Sequence, residues 1–152
     1  MVRRLMPAIA ALPAALLGVM TAGMLLRALV GTHPLWRVEP VNLSEAAALR
    51  DPATVARLIG HGEDPYLRRE VRADLLFNDR TELTPLEAAI ASGRADVLEI
   101  ILASAPPPEP AVWNRVRCLA TLEGDGDLGE VLDRFRPASV GLDCNGITRP
   151  WK

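Results

Sequence analysis

The sequence predicts an all-α fold: an N-terminal transmembrane helix, about three stacked helix-turn-helix repeats with an extended finger loop, and an irregular C-terminal cap. Three observations predict it. A 22-residue segment near the amino terminus carries no charge, a pattern of apolar positions recurs along the chain, and an insertion separates its first two copies. The predicted organisation is an anchor at 1–31, a linker at 32–41, repeats at 42–137 and a tail or cap at 138–152.

Charge and composition exclude one broad class of partner. The chain of 152 residues has a formal net charge of −2, and nucleic-acid binding needs a basic face rather than a balanced one. All basic residues except Lys152 are arginines. Their planar, multiply donating guanidinium groups favour contacts with protein.

The uncharged segment runs from Leu5 to Leu26 and is followed by Arg27. At about 1.5 Å per residue it is long enough for a hydrocarbon core of about 30 Å. A cleavable signal peptide is the alternative, with a small-residue site at Thr21-Ala22-Gly23. Arg3 and Arg4 before the segment are opposed by Arg27 and Arg37 after it, and the positive-inside rule weakly favours a cytoplasmic amino end. We therefore expect a single-pass protein of the plasma (inner) membrane whose C-terminal domain is extracytoplasmic.

Small residues recur at four-residue spacing within this segment, which would let a second membrane helix approach closely. The stripe predicts helix packing in a larger membrane complex, although an alanine-rich segment forms such stripes by chance. Its residues are Ala10, Ala14, Gly18 and Ala22.

The recurring pattern is clearest when Asn42–Gly62 is laid over Thr84–Ser104 without a gap. A second displacement brings in a weaker copy at Arg115–Phe135. Apolar residues at i, i+3 and i+4, separated by a Gly or Asp turn, predict two short antiparallel helices in each copy. Helices this short are not stable alone, so the hairpins must stack. Asn42 with Glu45, and Thr84 with Glu87, fit the capping-box pattern at helix starts.

The copy "TPLEAAIASGRADVLEIILAS" resembles an ankyrin repeat. The resemblance covers Asn42 to about Arg136 and implies stacked helical hairpins that recognise other proteins. The third copy is degenerate at its start. The residues of the second copy that match the family pattern are Thr84, Pro85, Leu86, Ala89, Gly93, Val97, Ile100 and Ile101.

The finger, residues 66–83, is about eleven residues longer than the repeat period leads one to expect. It carries the only Tyr, one of two Phe and four Arg, residue types enriched at binding hot spots. The sequence therefore predicts partner contacts here. The alternative is that Leu75, Leu76 and Phe77 fold back over the stack while the arginines are solvated. The predicted contact residues are Tyr66, Arg68, Arg69, Arg72 and Phe77.

Cys118 and Cys144 are the only cysteines. They form either a disulfide, in an oxidising compartment, or two free thiols. No residue pattern typical of a catalytic, cofactor-binding or metal site is present. We therefore expect a protein-binding accessory or scaffold subunit of a membrane complex, contacting lipid through its N-terminal helix. The alternative is an exported immunity-type protein that neutralises a secreted effector.

Overall fold

The computed structural model of the chain describes residues 18–24, 41–137 and 141–151. The chain divides into two units, Met1–Pro40 and Val41–Lys152. The second unit is mostly helical. Its elements in chain order are α1 (Leu43–Ala48), α2 (Pro52–Gly60), β1 (Arg69–Val71), β2 (Thr81–Leu83), α3 (Pro85–Ser92), α4 (Ala95–Ser104), α5 (Pro110–Glu123) and α6 (Gly126–Arg134).

The helices form three successive pairs that stack in two layers. The first helices, α1, α3 and α5, contact one another in sequence, as do the second helices, α2, α4 and α6. Each pair also packs internally. The small buried residues Ala46, Ala47, Ala88 and Ala89 on the first helices allow this close approach, because a methyl side chain adds little to the distance between helix axes.

Both predicted capping boxes are confirmed. The Asn42 side chain accepts from the backbone N–H of Glu45 at 2.9 Å, and the Glu45 carboxylate accepts from the N–H of Asn42 at 3.3 Å. At α3 the Thr84 hydroxyl accepts from the Glu87 N–H at 3.2 Å, and Glu87 accepts from the Thr84 N–H at 3.0 Å. Each box satisfies amides that a helix start otherwise leaves without a partner.

The turns inside the pairs need a left-handed residue. Gly93 and Gly124 supply it at the ends of α3 and α5, with φ of 68° and 74°. Glycine adopts this conformation without steric cost. The first pair places Arg50 there instead, with φ of 61°.

The all-α prediction is wrong at the finger, whose ends pair as a two-stranded antiparallel sheet. Arg69 lies opposite Leu83, Glu70 opposite Glu82, and Val71 opposite Thr81. The insertion is long enough for the chain to return alongside itself. Val71 and Leu83, buried in the core, hold the two strands against the helices.

The predicted transmembrane helix over Leu5–Leu26 is also wrong. The described stretch 18–24 is helical and exposed. No helix in the described ranges is long and apolar enough to cross a membrane. Of the predicted packing stripe, Gly18 and Ala22 lie on this short stretch, whereas Ala10 and Ala14 lie outside the described residues.

The third pair begins earlier than the repeat pattern indicates. Helix α5 starts at Pro110 and runs for 14 residues, so Arg115 lies inside the helix and not at its start. Trp113 is buried and its indole N–H donates to the carbonyl of Leu132 at 2.9 Å. This earlier start explains why the third copy lacks the Thr-Pro-Leu start at the aligned position.

Candidate partner-binding site

The finger is fixed to the second helix pair by an arginine and a buried carboxylate. Nη2 of Arg68 donates to both carboxylate oxygens of Glu87, at 2.8 and 2.9 Å. Its Nη1 donates to the carbonyl of Glu82 at 3.2 Å. The Glu87 side chain is only 1% exposed, whereas that of Arg68 is 44% exposed. The hydrogen bonds to the carboxylate therefore orient an arginine whose outer face remains in solvent.

Glu87 binds a second arginine from the third helix pair. Nε of Arg115, on α5, donates to Glu87 Oε1 at 2.7 Å, and its side chain is 41% exposed. Glu87 thus performs two tasks. It completes the capping box of α3, and it joins the finger, the second pair and the third pair at one carboxylate.

The first helix pair repeats this arrangement, with one arginine of the described residues on its glutamate. Nε of Arg72 donates to Glu45 Oε1 at 2.6 Å and its Nη2 donates to Oε2 at 3.2 Å. The backbone N–H of Arg72 donates to the same carboxylate at 3.2 Å. The finger is further attached to this pair at both strands, because the Asn42 amide donates to the Glu70 carbonyl and the Ser44 hydroxyl to the Leu83 carbonyl.

The two aromatic residues predicted to contact a partner also make internal contacts. The Tyr66 hydroxyl donates to the carbonyl of Pro106, in the proline-rich loop between the second and third pairs. Partial burial, and to a smaller extent the charge of Asp64, raise the pKa of Tyr66 above its usual 10.0. Phe77 stacks on Trp151 with ring centroids 6.0 Å apart.

Arg69 is exposed, and it is the member of the predicted set whose side chain makes no hydrogen bond or ion pair with the described residues. Leu67, which the sequence did not single out, lies two residues before it and is 45% exposed. The structure therefore divides the predicted set. Four of its members hold the finger in place, whereas Arg69 and the nearby Leu67 are exposed on it.

The tail, residues 141–151, crosses α5 and ends beside the finger. A disulfide joins Cys144 to Cys118, so the cysteines are bridged and not free. Asn114 and Asp143 exchange two hydrogen bonds between the Asn114 amide and the Asp143 backbone, at 2.6 and 3.0 Å. The Trp151 side chain then enters the core beside Phe77 and is 8% exposed.

Sequence reasoning missed the partners of the finger arginines. It interpreted Glu45 and Glu87 as helix caps, which they are, but it did not identify them as binding sites for Arg72 and Arg68. The signal that could have shown this is that each glutamate is the only charged residue in its helix. A carboxylate buried there requires a paired cation.

Comparison of the chain with protein-family models, with curated proteins and with solved structures finds no match. A proposal for its function therefore depends on the surface that these residues build.

Proposed function

We propose that this protein binds another protein through the face of its finger that carries Leu67 and Arg69, on a stack of ankyrin-like helix pairs. The observation that carries the proposal is the internal attachment of the finger. Arg72 fixes it to the first pair, Arg68 to the second pair, and Tyr66 to the loop between the second and third pairs. Between these attachment points, an apolar side chain and a guanidinium group remain exposed.

Pre-organisation is the physical reason for assigning a binding role to this surface. A long loop that is ordered only on binding loses conformational entropy at that moment, which weakens the complex. Here the folding of the chain has already ordered the finger backbone. Arginine and large apolar side chains held in this way are suited to contribute much of the binding energy of a protein interface.

Site-specific photo-crosslinking tests the proposal. A photoreactive amino acid replaces Arg69 in one variant and Arg57 in a control, because Arg57 is exposed on α2, whereas the strands of the finger pack on α1 and α3. In cells of the source organism, we expect position 69 to give a discrete crosslinked protein that position 57 does not give. Identical crosslinking from both positions, or none from position 69 in folded protein, contradicts the proposal.

The disulfide favours a second candidate function. Structural disulfides persist in oxidising compartments outside the cytosol, which supports an exported protein that neutralises a secreted effector through the same surface. This candidate predicts that deleting the gene harms cells only when a particular effector is present. It also predicts that Leu67→Asp with Arg69→Glu abolishes protection while the protein remains folded. Protection by that variant equal to the wild type would exclude this use of the surface.

A further inference from the structure

The arrangement around Glu87 holds more positive charge than its carboxylate can balance. Two guanidinium groups bind one carboxylate, and no other carboxylate of the described residues forms an ion pair with Arg68 or Arg115. Both arginines donate to the same oxygen, Oε1. Their donor nitrogens are therefore no further apart than two hydrogen-bond lengths, and the like charges repel.

The N–H groups of Arg115 that make no internal hydrogen bond indicate what this excess charge can bind. Arg115 uses only Nε, so its Nη1 and Nη2 groups have no hydrogen-bond acceptor among the described residues. The bond from Nε to a buried carboxylate fixes the plane of the guanidinium group. A fixed pair of terminal N–H groups matches the two oxygens of a carboxylate in bidentate geometry.

We propose that Arg115, positioned by Glu87 and assisted by Arg68, binds an aspartate or glutamate side chain of the protein partner. One excess positive charge is balanced by one carboxylate. The exposed Glu70 and Glu82 of the finger and the net charge of −2 disfavour a polyanion such as a nucleic acid or a strongly anionic membrane. This inference rests on the proposed function, because it names the chemistry of the partner.

Arginine side-chain NMR with a defined probe tests the site without the partner. The probe is the capped peptide acetyl-Gly-Glu-Glu-Gly-amide, its control is the matching Gln peptide, and Arg57 reports non-specific ionic effects. We expect the Nε resonances of Arg115 and Arg68 to shift saturably with the Glu peptide and not with the Gln peptide. Arg115→Lys should weaken this binding about tenfold, because lysine keeps the charge but loses the bidentate fork.

Three outcomes overturn the inference. The first is that Arg115 and Arg68 shift no more than Arg57. The second is an unchanged affinity in a folded Arg115→Lys protein, and an Arg57→Lys protein serves as the control that should bind like the wild type. The third is a larger, saturable response to inorganic phosphate than to the Glu peptide, which would assign the site to a phosphate group.

The two proposals can fail separately. If position 69 crosslinks a partner but the peptide does not bind, the protein-binding function stands and the carboxylate site is wrong. If the peptide binds but position 69 gives no crosslink, the finger surface is wrong and the anion site stands alone.

Discussion

The finger and the tail are both irregular segments that pack on the helix pairs, yet different chemistry attaches them. The finger is held by Arg68 and Arg72 on buried carboxylates. The tail is held by the disulfide between Cys118 and Cys144 and by Trp151. Ion pairs fix the orientation of the finger and leave its outer side chains in solvent, whereas a covalent bond holds the tail with few buried residues. The two segments thus differ both in the bonds that attach them and in the side chains that they leave in solvent.

Removing the disulfide that attaches the tail should have the largest effect on stability. The double substitution Cys118→Ala with Cys144→Ala should lower the free energy of unfolding by about 3.5 kcal/mol, because the bridge closes a loop between residues 26 apart in the chain and so restricts the unfolded state. Urea unfolding measures this. Wild-type protein in excess reductant should lose the same stability, whereas the double variant should not respond to the reductant. Equal stability of the oxidised wild type and the variant would show that the tail is held without the bridge.

Neutralising each buried carboxylate in turn should show how much each ionic attachment of the finger contributes to the free energy of unfolding. Glu87→Gln should cost about 2 kcal/mol and Glu45→Gln about 1 kcal/mol, because Gln preserves the capping box but removes the negative charge. Among the described residues that charge is paired with two arginines at Glu87 and with one at Glu45. These values are below those for fully buried ion pairs, since the arginines are partly exposed. Unfolding in urea at neutral pH gives both values. A larger loss of stability in Glu45→Gln than in Glu87→Gln would contradict this prediction.

The contact between the two segments should show coupling of about 1 kcal/mol. Phe77 belongs to the finger and Trp151 to the tail, and their stacked rings add to the effect of burial alone. A double-mutant cycle with Phe77→Leu and Trp151→Leu measures the coupling. Additive losses would mean that the finger and the tail are stabilised independently.

The smallest predicted effect concerns Tyr66, which attaches the start of the finger. Its raised pKa means that folding favours the neutral hydroxyl. This contribution to stability is therefore complete below a pH of about 10, the unfolded pKa, and is lost as the pH rises through the higher folded pKa. Since Tyr66 is the only tyrosine, tyrosinate absorbance reports its pKa directly. Pro106 contributes only a carbonyl, so Tyr66→Phe is the matched control without a titrating group. A folded-state pKa at or below that of the unfolded chain would contradict this attachment.

Local sequence patterns predicted the helix pairs well because caps and turns act over three or four residues. Asn42, Glu45, Thr84 and Glu87 form the expected boxes, and Gly93 ends its helix in the left-handed conformation. The two strands were missed because each is three residues long, too short to show alternation. No two-residue turn signal joins them.

Long-range contacts could not be read from the sequence in the same way. Arg68 and Glu87 are 19 residues apart, and Arg72 and Glu45 are 27 apart, so no helical or strand period relates them. The sequence identified the finger as unusual and named its arginines. It could not show that the guanidinium nitrogens of Arg68 and Arg72 bind buried carboxylates, whereas Arg69 is exposed to solvent.

The attachment of the finger also limits how this chain can change during evolution. Repeat proteins commonly gain or lose single units, because each unit contacts only its neighbours. Here Glu45 and Glu87, in successive helix pairs, receive Arg72 and Arg68 from one finger. Duplicating either pair alone would add a buried carboxylate for which the finger has no arginine, and deleting either pair would remove the carboxylate that one finger arginine binds. The first two pairs should therefore be inherited, and should unfold, as one unit.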